Sequence, residues 1–90
     1  MNVWKFRDGL TVTECTSFPY AFRTMFNSVK KGVEKGRKYE DMMKSMRIIS
    51  PAKDVHGDFR MYNYDEATVM AKNNGLLNSD GTINSREFKR

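Results

Sequence analysis

The segment from Phe18 to Lys38 constrains the fold most, because apolar and basic residues are both arranged with a helical period within it. Six apolar residues recur at helical spacing: Phe18, Phe22, Met25, Phe26, Val29 and Val33. This spacing predicts an amphipathic helix whose apolar stripe packs on the rest of the domain. Cations crowd the second half of the same segment. The pattern therefore predicts one helix with a core-facing stripe and a positively charged end.

Charge is distributed unevenly along the 90 residues, whose formal net charge is +5. Residues 1–45 hold nine Lys/Arg against five Asp/Glu, and residues 46–90 hold seven against six. A clustered positive surface favours encounters with polyanions, so nucleic acid or an acidic protein surface is the expected partner. The length fits a single small domain spanning 1–90, with a modest core and no separate cofactor domain.

The N-terminus and the cysteine content indicate a compartment. Cys15 is the single cysteine and cannot form an internal disulfide, which is typical of a reducing environment. No apolar run approaches the length of a membrane span, and Lys5, Arg7 and Asp8 interrupt the region where a signal peptide needs continuous apolar residues. We therefore expect a cytoplasmic protein with no membrane partner.

The first thirteen residues predict a β-hairpin, because two β-favouring runs, 3–6 and 10–13, flank a short polar segment that ends in Gly9. A three-residue loop with Gly9 in the left-handed conformation pairs Phe6 with Leu10 and Trp4 with Val12, and this register makes one apolar face. Lys5 and the threonines of the second run then point outward. The amphipathic helix, which begins near Phe18 after a Thr16 or Ser17 cap, is expected to cover that apolar face.

The remaining chain predicts further short elements. Gly32 and Gly36 end the first helix, and a second short helix runs from about Lys38 to Met46. Residues 50–58 have the composition of a loop, and residues 59–63 that of a strand.

The last part of the chain predicts one more helix and a hairpin. Asn63 and Glu66 form a capping-box pattern for a helix that stops before Gly75. A closing hairpin is expected to pair Leu77 with Ile83. The fold class is therefore α+β: an N-terminal hairpin packed by an amphipathic helix, a short second helix, then strand, helix and hairpin.

Two groups of residues are candidates for binding a nucleic acid. The density of ammonium and guanidinium groups at the end of the first helix suits contacts to backbone phosphates. On the 59–63 strand, an arginine lies beside tyrosines on which a base could stack. The candidate residues are Arg23, Lys30, Lys31, Lys35, Arg37, Lys38, Arg60 and Tyr62. The leading hypothesis is a non-enzymatic module that engages nucleic acid as a regulator or accessory factor.

A protein–protein interaction module or inhibitor is the alternative hypothesis. Methionines beside a tyrosine on the second helix form a pliable apolar patch next to the basic cluster, and such a patch suits an acidic protein partner. The residues of this alternative interface are Tyr39, Met42, Met43 and Met46.

A more remote alternative concerns the C-terminal segment 76–88, which resembles an EF-hand calcium loop. Its matching residues are Asn78, Asp80, Gly81, Ile83, Asn84 and Glu87. The segment departs from the EF-hand pattern at the first ligand position, where Leu76 replaces the usual aspartate. The same residues also fit a tight hairpin, and no metal site or cofactor is expected.

Catalysis is not indicated by the sequence. Cys15 and His56 are the single members of their kinds and have no evident third partner. The paired acids Glu40-Asp41 and Asp65-Glu66 fall in first helical turns, where the helix dipole accounts for them. We therefore expect a protein that is not an enzyme and has no catalytic residues.

Overall fold

The computed structural model describes residues 3–84, which form a four-stranded antiparallel sheet and three helices in an α+β arrangement. The strands are β1 (Trp4–Asp8), β2 (Thr11–Cys15), β3 (Met46–Lys53) and β4 (Phe59–Tyr62), and the helices are α1 (Phe18–Glu34), α2 (Tyr39–Ser45) and α3 (Tyr64–Asn73). The sheet order is β2-β1-β3-β4, so the two central strands come from distant parts of the chain. The predicted fold class is confirmed.

All three helices pack on one face of this sheet. Alternate residues of β1 and β3, among them Phe6, Met46 and Ile48, are buried and join the helices in one apolar cluster. Because side chains alternate across a strand, the intervening residues of the same strands lie on the opposite face. No helix among residues 3–84 covers that second face, which we call the open face.

The first helix follows the predicted stripe for most of its length. Phe18 stacks on Phe22 with ring centroids 6.2 Å apart, and Trp4 of β1 meets Phe18 edge to face at 5.3 Å. The stripe ends one turn earlier than the spacing predicted, because Val33 is 56% exposed while Gly32 is buried. Within residues 3–84, no helix is long and apolar enough to cross a membrane.

The register of the N-terminal hairpin differs from the prediction. Phe6 pairs with Thr13 and Trp4 with Cys15, because Gly9 and Leu10 occupy a two-residue turn between Asp8 and Thr11. Gly9 has a φ of +62°, which suits glycine at the first central position of a type II′ turn. The predicted apolar face is therefore absent: Leu10 is fully exposed, and Val12 lies on the open face.

Strand β3 was not predicted at all, since residues 50–53 were assigned to a loop and Met46 to a helix. Between the pairs Ile49–Met61 and Lys53–Phe59, β3 advances by four residues while β4 advances by two. This irregularity contains Pro51, which has no backbone N–H to donate to a ladder. The loop itself is confined to 54–58, where the Asp54 carboxylate accepts hydrogen bonds from the backbone N–H groups of His56 and Asp58.

The elements after β4 agree with those predicted from the sequence. Asn63 caps α3 in a reciprocal capping box with Glu66, and Gly75 ends the helix with a φ of +73°. Leu77 then pairs with Ile83 across an Asn78–Thr82 turn. The predicted cap, stop and bridge are all confirmed.

Candidate nucleic-acid interface

The lysines of α1 lie on its solvent side, opposite the stripe that packs on the sheet. Lys30 and Lys31 follow Arg23 by seven and eight residues, which places all three on one exposed helix face. Lys35 follows directly after the helix, and Lys38 precedes α2. Among residues 3–84, no carboxylate forms an ion pair with Lys30, Lys31, Lys35 or Lys38. We call these four residues the lysine cluster.

The chain reverses sharply within this cluster because α1 ends in a Schellman motif. Gly36 has a φ of +86°, its N–H donates to Val33, and the N–H of Arg37 donates to Gly32 over 2.8 Å. Helix α2 begins three residues later. The predicted end of the first helix near Gly36 is confirmed, and the turn brings the lysines of α1 and those of the connection to α2 to one end of the domain.

Arg37 differs from the four lysines because its exposed guanidinium is paired with a carboxylate of the same chain. Its Nη1 donates to Asp8 Oδ2 over 3.0 Å and its Nη2 to Asp8 Oδ1 over 3.4 Å, while Ser45 Oγ donates to the same carboxylate. The hydrogen bond from Arg37 holds the pKa of Asp8 below its usual range. Arg37 therefore ties the end of α1 to the β1–β2 turn and has a structural role, while its role in binding a phosphate stays a prediction.

Arg60 and Tyr62, which were predicted to form a binding surface, lie on one side of β4 but differ in exposure: Arg60 is exposed and Tyr62 is partly buried. Tyr62 pairs with Ile48 and its partly buried side chain packs against the core, so less of its ring is exposed for stacking than was predicted. Arg60 is exposed, and a role for it stays a prediction. Sequence alternation separated the two sides of β4 correctly, but the accessible aromatic side chain is Phe59, which is 49% exposed.

Two of the three methionines predicted to form a protein interface are buried in the core. Met42 is 1% exposed and Met46 is fully buried, because α2 packs on α1 and Met46 begins a central strand. Met43 is half-buried. Tyr39 is exposed and donates a hydrogen bond from its hydroxyl to Asp65 Oδ1 over 3.1 Å, which links α2 to α3. Met42 and Met46 therefore belong to the core, and a role of Tyr39 and Met43 in binding a protein stays a prediction.

The open face of the sheet carries a second group of cations that sequence reasoning missed. Arg7 of β1 lies directly opposite Arg47 of β3, and Lys5 pairs with Ile49 on the same face. Arg7 was assigned to a turn, and Arg47 to no strand at all. The signal was the alternation Met46-Arg47-Ile48, which identifies Arg47 as outward-facing once Met46 and Ile48 are known to be buried.

Apolar groups accompany these cations on the open face. Val12, Phe59 and Met61 are about half exposed, and the Lys53 ammonium lies 5.4 Å from the centroid of the Phe59 ring. A shallow cavity of about 250 Å³ opens beside them, lined by Val3, Lys5, Glu14, Ile49, Ser50, Pro51 and Phe59. The open face thus combines positive charge with exposed apolar groups and a shallow cavity.

Groups that could perform chemistry are dispersed in the structure. The Cys15 thiol contacts Thr24 Oγ1 at 4.0 Å, and burial raises its pKa, which disfavours the reactive thiolate. In the EF-hand-like segment, Asp80 Oδ1 accepts hydrogen bonds from Thr82 N and Thr82 Oγ1, while Glu87 lies outside the described residues. In the range 3–84, no three His, Cys, Asp or Glu side chains are placed to hold a metal.

Comparison of the chain with protein-family models, with curated protein sequences and with solved structures finds no match in any of the three.

Proposed function

We propose that this chain is a non-enzymatic module that binds nucleic acid through phosphate contacts made by the lysine cluster, acting as a regulator or accessory factor. The observation that supports this most directly is the lack of ion-pair partners for the four lysines within residues 3–84. Ammonium groups that are not neutralised internally release counterions from a phosphate backbone when they bind it.

The geometry of the cluster also suits this role. The Schellman turn and the Arg37–Asp8 pair fix the relative positions of α1 and α2, so the lysines extend from a rigid support. Preorganisation reduces the entropy that must be lost on binding. The alternative hypothesis, an acidic protein partner, is weakened because Met42 and Met46, which were to make the apolar contacts, are buried.

The test is a titration of labelled duplex DNA, single-stranded DNA and single-stranded RNA with the protein, followed by fluorescence anisotropy across a salt series. We expect micromolar or tighter binding at low salt, with log K falling linearly against log salt. A Lys30→Gln/Lys31→Gln variant should weaken binding and reduce the magnitude of the salt slope by about 1.5.

The matched control is Lys44→Gln/Lys72→Gln, which removes the same charge from exposed positions on α2 and α3. The control should retain most of the affinity. Absence of binding to all three nucleic acids at low salt would overturn the proposed function. An equal loss in both double variants would overturn the assignment to the lysine cluster.

A further inference from the structure

We propose that the open face of the sheet is a platform for single-stranded nucleic acid, with a backbone phosphate held between Arg7 and Arg47 and a base stacked on Phe59. This inference rests on the proposed function for its class of ligand, but it uses a different surface of the domain.

The first observation is the pairing of two arginines across adjacent strands. Like charges directly opposite each other in a sheet repel, so Arg7 and Arg47 incur a cost that an anion between them would remove. No carboxylate in residues 3–84 forms an ion pair with either one. Guanidinium groups offer planar, forked donors that match phosphate oxygens.

Both arginines retain unused donors. Arg7 Nε is buried and has no hydrogen-bond partner among the described residues. Arg47 Nη1 donates to the carbonyl oxygens of Met43 and Met46, over 2.5 and 2.7 Å, and this orients the guanidinium. Because arginine has five N–H donors, three remain on Arg47 for a ligand. An oriented guanidinium on β3, opposite an arginine of β1 whose Nε lacks a partner, forms a suitable anion site.

The second observation is the apolar surface that adjoins this pair. The Lys5–Ile49 pair lies two residues along β1 and β3 from Arg7–Arg47, or about 7 Å at the usual rise of a strand. The cavity beside Ile49 is bounded by Pro51 and Phe59. Planar bases stack on exposed aromatic rings of this kind. The Lys53 ammonium, which lies over the Phe59 ring, would move from the ring to the neighbouring phosphate when a base stacks there.

The exposed Phe59 favours a single strand over a duplex. Bases in a duplex are already stacked and paired, whereas those of a single strand are free to lie on a protein ring. A second copy of this chain fits the face poorly, because a two-fold interface would bring together the Lys5, Arg7 and Arg47 side chains of both copies, with Glu14 of β2 as the one carboxylate on the described strands of this face to offset them. Charge complementarity therefore selects an anionic ligand with planar apolar groups.

The test compares single-stranded and duplex oligonucleotides of equal length by fluorescence anisotropy. Arg7→Gln and Phe59→Leu should each weaken single-strand binding by about tenfold. Phe59→Leu should leave duplex binding within about twofold, since a duplex offers no unstacked base. The controls are Lys72→Gln, which removes one charge from α3, and Val69→Ala, which trims an exposed apolar side chain of α3. Both controls should bind like the unaltered protein, and circular dichroism should show that every variant is folded.

The outcomes separate the two proposals. If the unaltered protein binds no nucleic acid, both fail. If Lys30→Gln/Lys31→Gln weakens binding while Arg7→Gln and Phe59→Leu do not, the lysine cluster stands and the open-face platform is overturned. If polyglutamate competes as well as the single strand does, the open face is a site for acidic protein and the platform is likewise overturned.

Discussion

The thioether of Met42 packs against the backbone of Gly32, so closely that a Cβ on residue 32 would lie less than 3.0 Å from the sulfur. Gly32 is therefore the contact point that lets α2 cross the end of α1. From the sequence, Gly32 was expected only to help end the first helix, whereas α1 continues through it to Glu34. Its role is steric, because Met42 is fully buried and has little freedom to move aside.

Gly32→Ala should destabilise the protein although alanine is the better helix former. The gain in helix propensity is up to about 1 kcal/mol, whereas overpacking a buried contact costs about 1–3 kcal/mol. In a Met42→Ala background the same substitution should be neutral or stabilising, because the obstructing side chain is gone. Urea denaturation of the four proteins measures this coupling. Equal effects in both backgrounds would exclude the steric explanation.

Met42→Ala should lower the free energy of unfolding by about 2–5 kcal/mol, since it creates a cavity between α1 and α2. Met61→Ala removes the same side chain from the open face, where the residue is 53% exposed, and should cost less than about 0.5 kcal/mol. Thermal or urea unfolding distinguishes them. Similar losses at the two positions would contradict the assignment of Met42 to the core.

Asp8→Asn should remove a pH-dependent part of the stability. The pKa of Asp8 is lowered in the folded protein, chiefly by the hydrogen bond from Arg37, so the unfolded chain takes up a proton first as the pH falls. The stabilisation is complete above the unfolded pKa of about 4 and is lost as the pH falls through the lower folded value.

Urea midpoints of the unaltered protein and Asp8→Asn should therefore differ at pH 7 and converge in acid. Asp58→Asn, at an exposed position in the 54–58 loop, is the control and should follow the unaltered protein throughout. A difference between the unaltered protein and Asp8→Asn that persists undiminished in acid would show that the Asp8 carboxylate is not the titrating group.

Asn63→Ala should destabilise α3 by about 1 kcal/mol, because the side chain accepts a hydrogen bond from Glu66 N over 2.8 Å. Asn63→Ser should recover most of the loss, since serine is also a strong N-cap. Asn73→Ala at the other end of the helix is the control and should not destabilise. Thermal unfolding followed by circular dichroism gives the comparison, and an unchanged midpoint for Asn63→Ala would rule out the cap as a source of stability.

Local chemistry accounts for the parts of the fold that could be predicted. The α1 stripe, the Asn63–Glu66 capping box, the stop at Gly75 and the Leu77–Ile83 bridge each depend on residues close together in the chain. Such features are decided by backbone preferences and side-chain periodicity. The same periodicity predicted that the lysines lie on an exposed helix end, and in the structure they are exposed there.

Tertiary structure alone decided the rest. Strand β3 exists because residues 46–49 pair with β1 and β4, which are distant in sequence, and its Pro51 is tolerated at an irregular position of the ladder. The same pairings buried Met46, turned Tyr62 to the core and set Arg7 opposite Arg47. Arg37 and Asp8 are 29 residues apart, and their ion pair depends on the Schellman turn between the two helices. Periodicity identifies which residues share a face, but long-range pairing determines what that face meets, since burial is a property of the assembled layers.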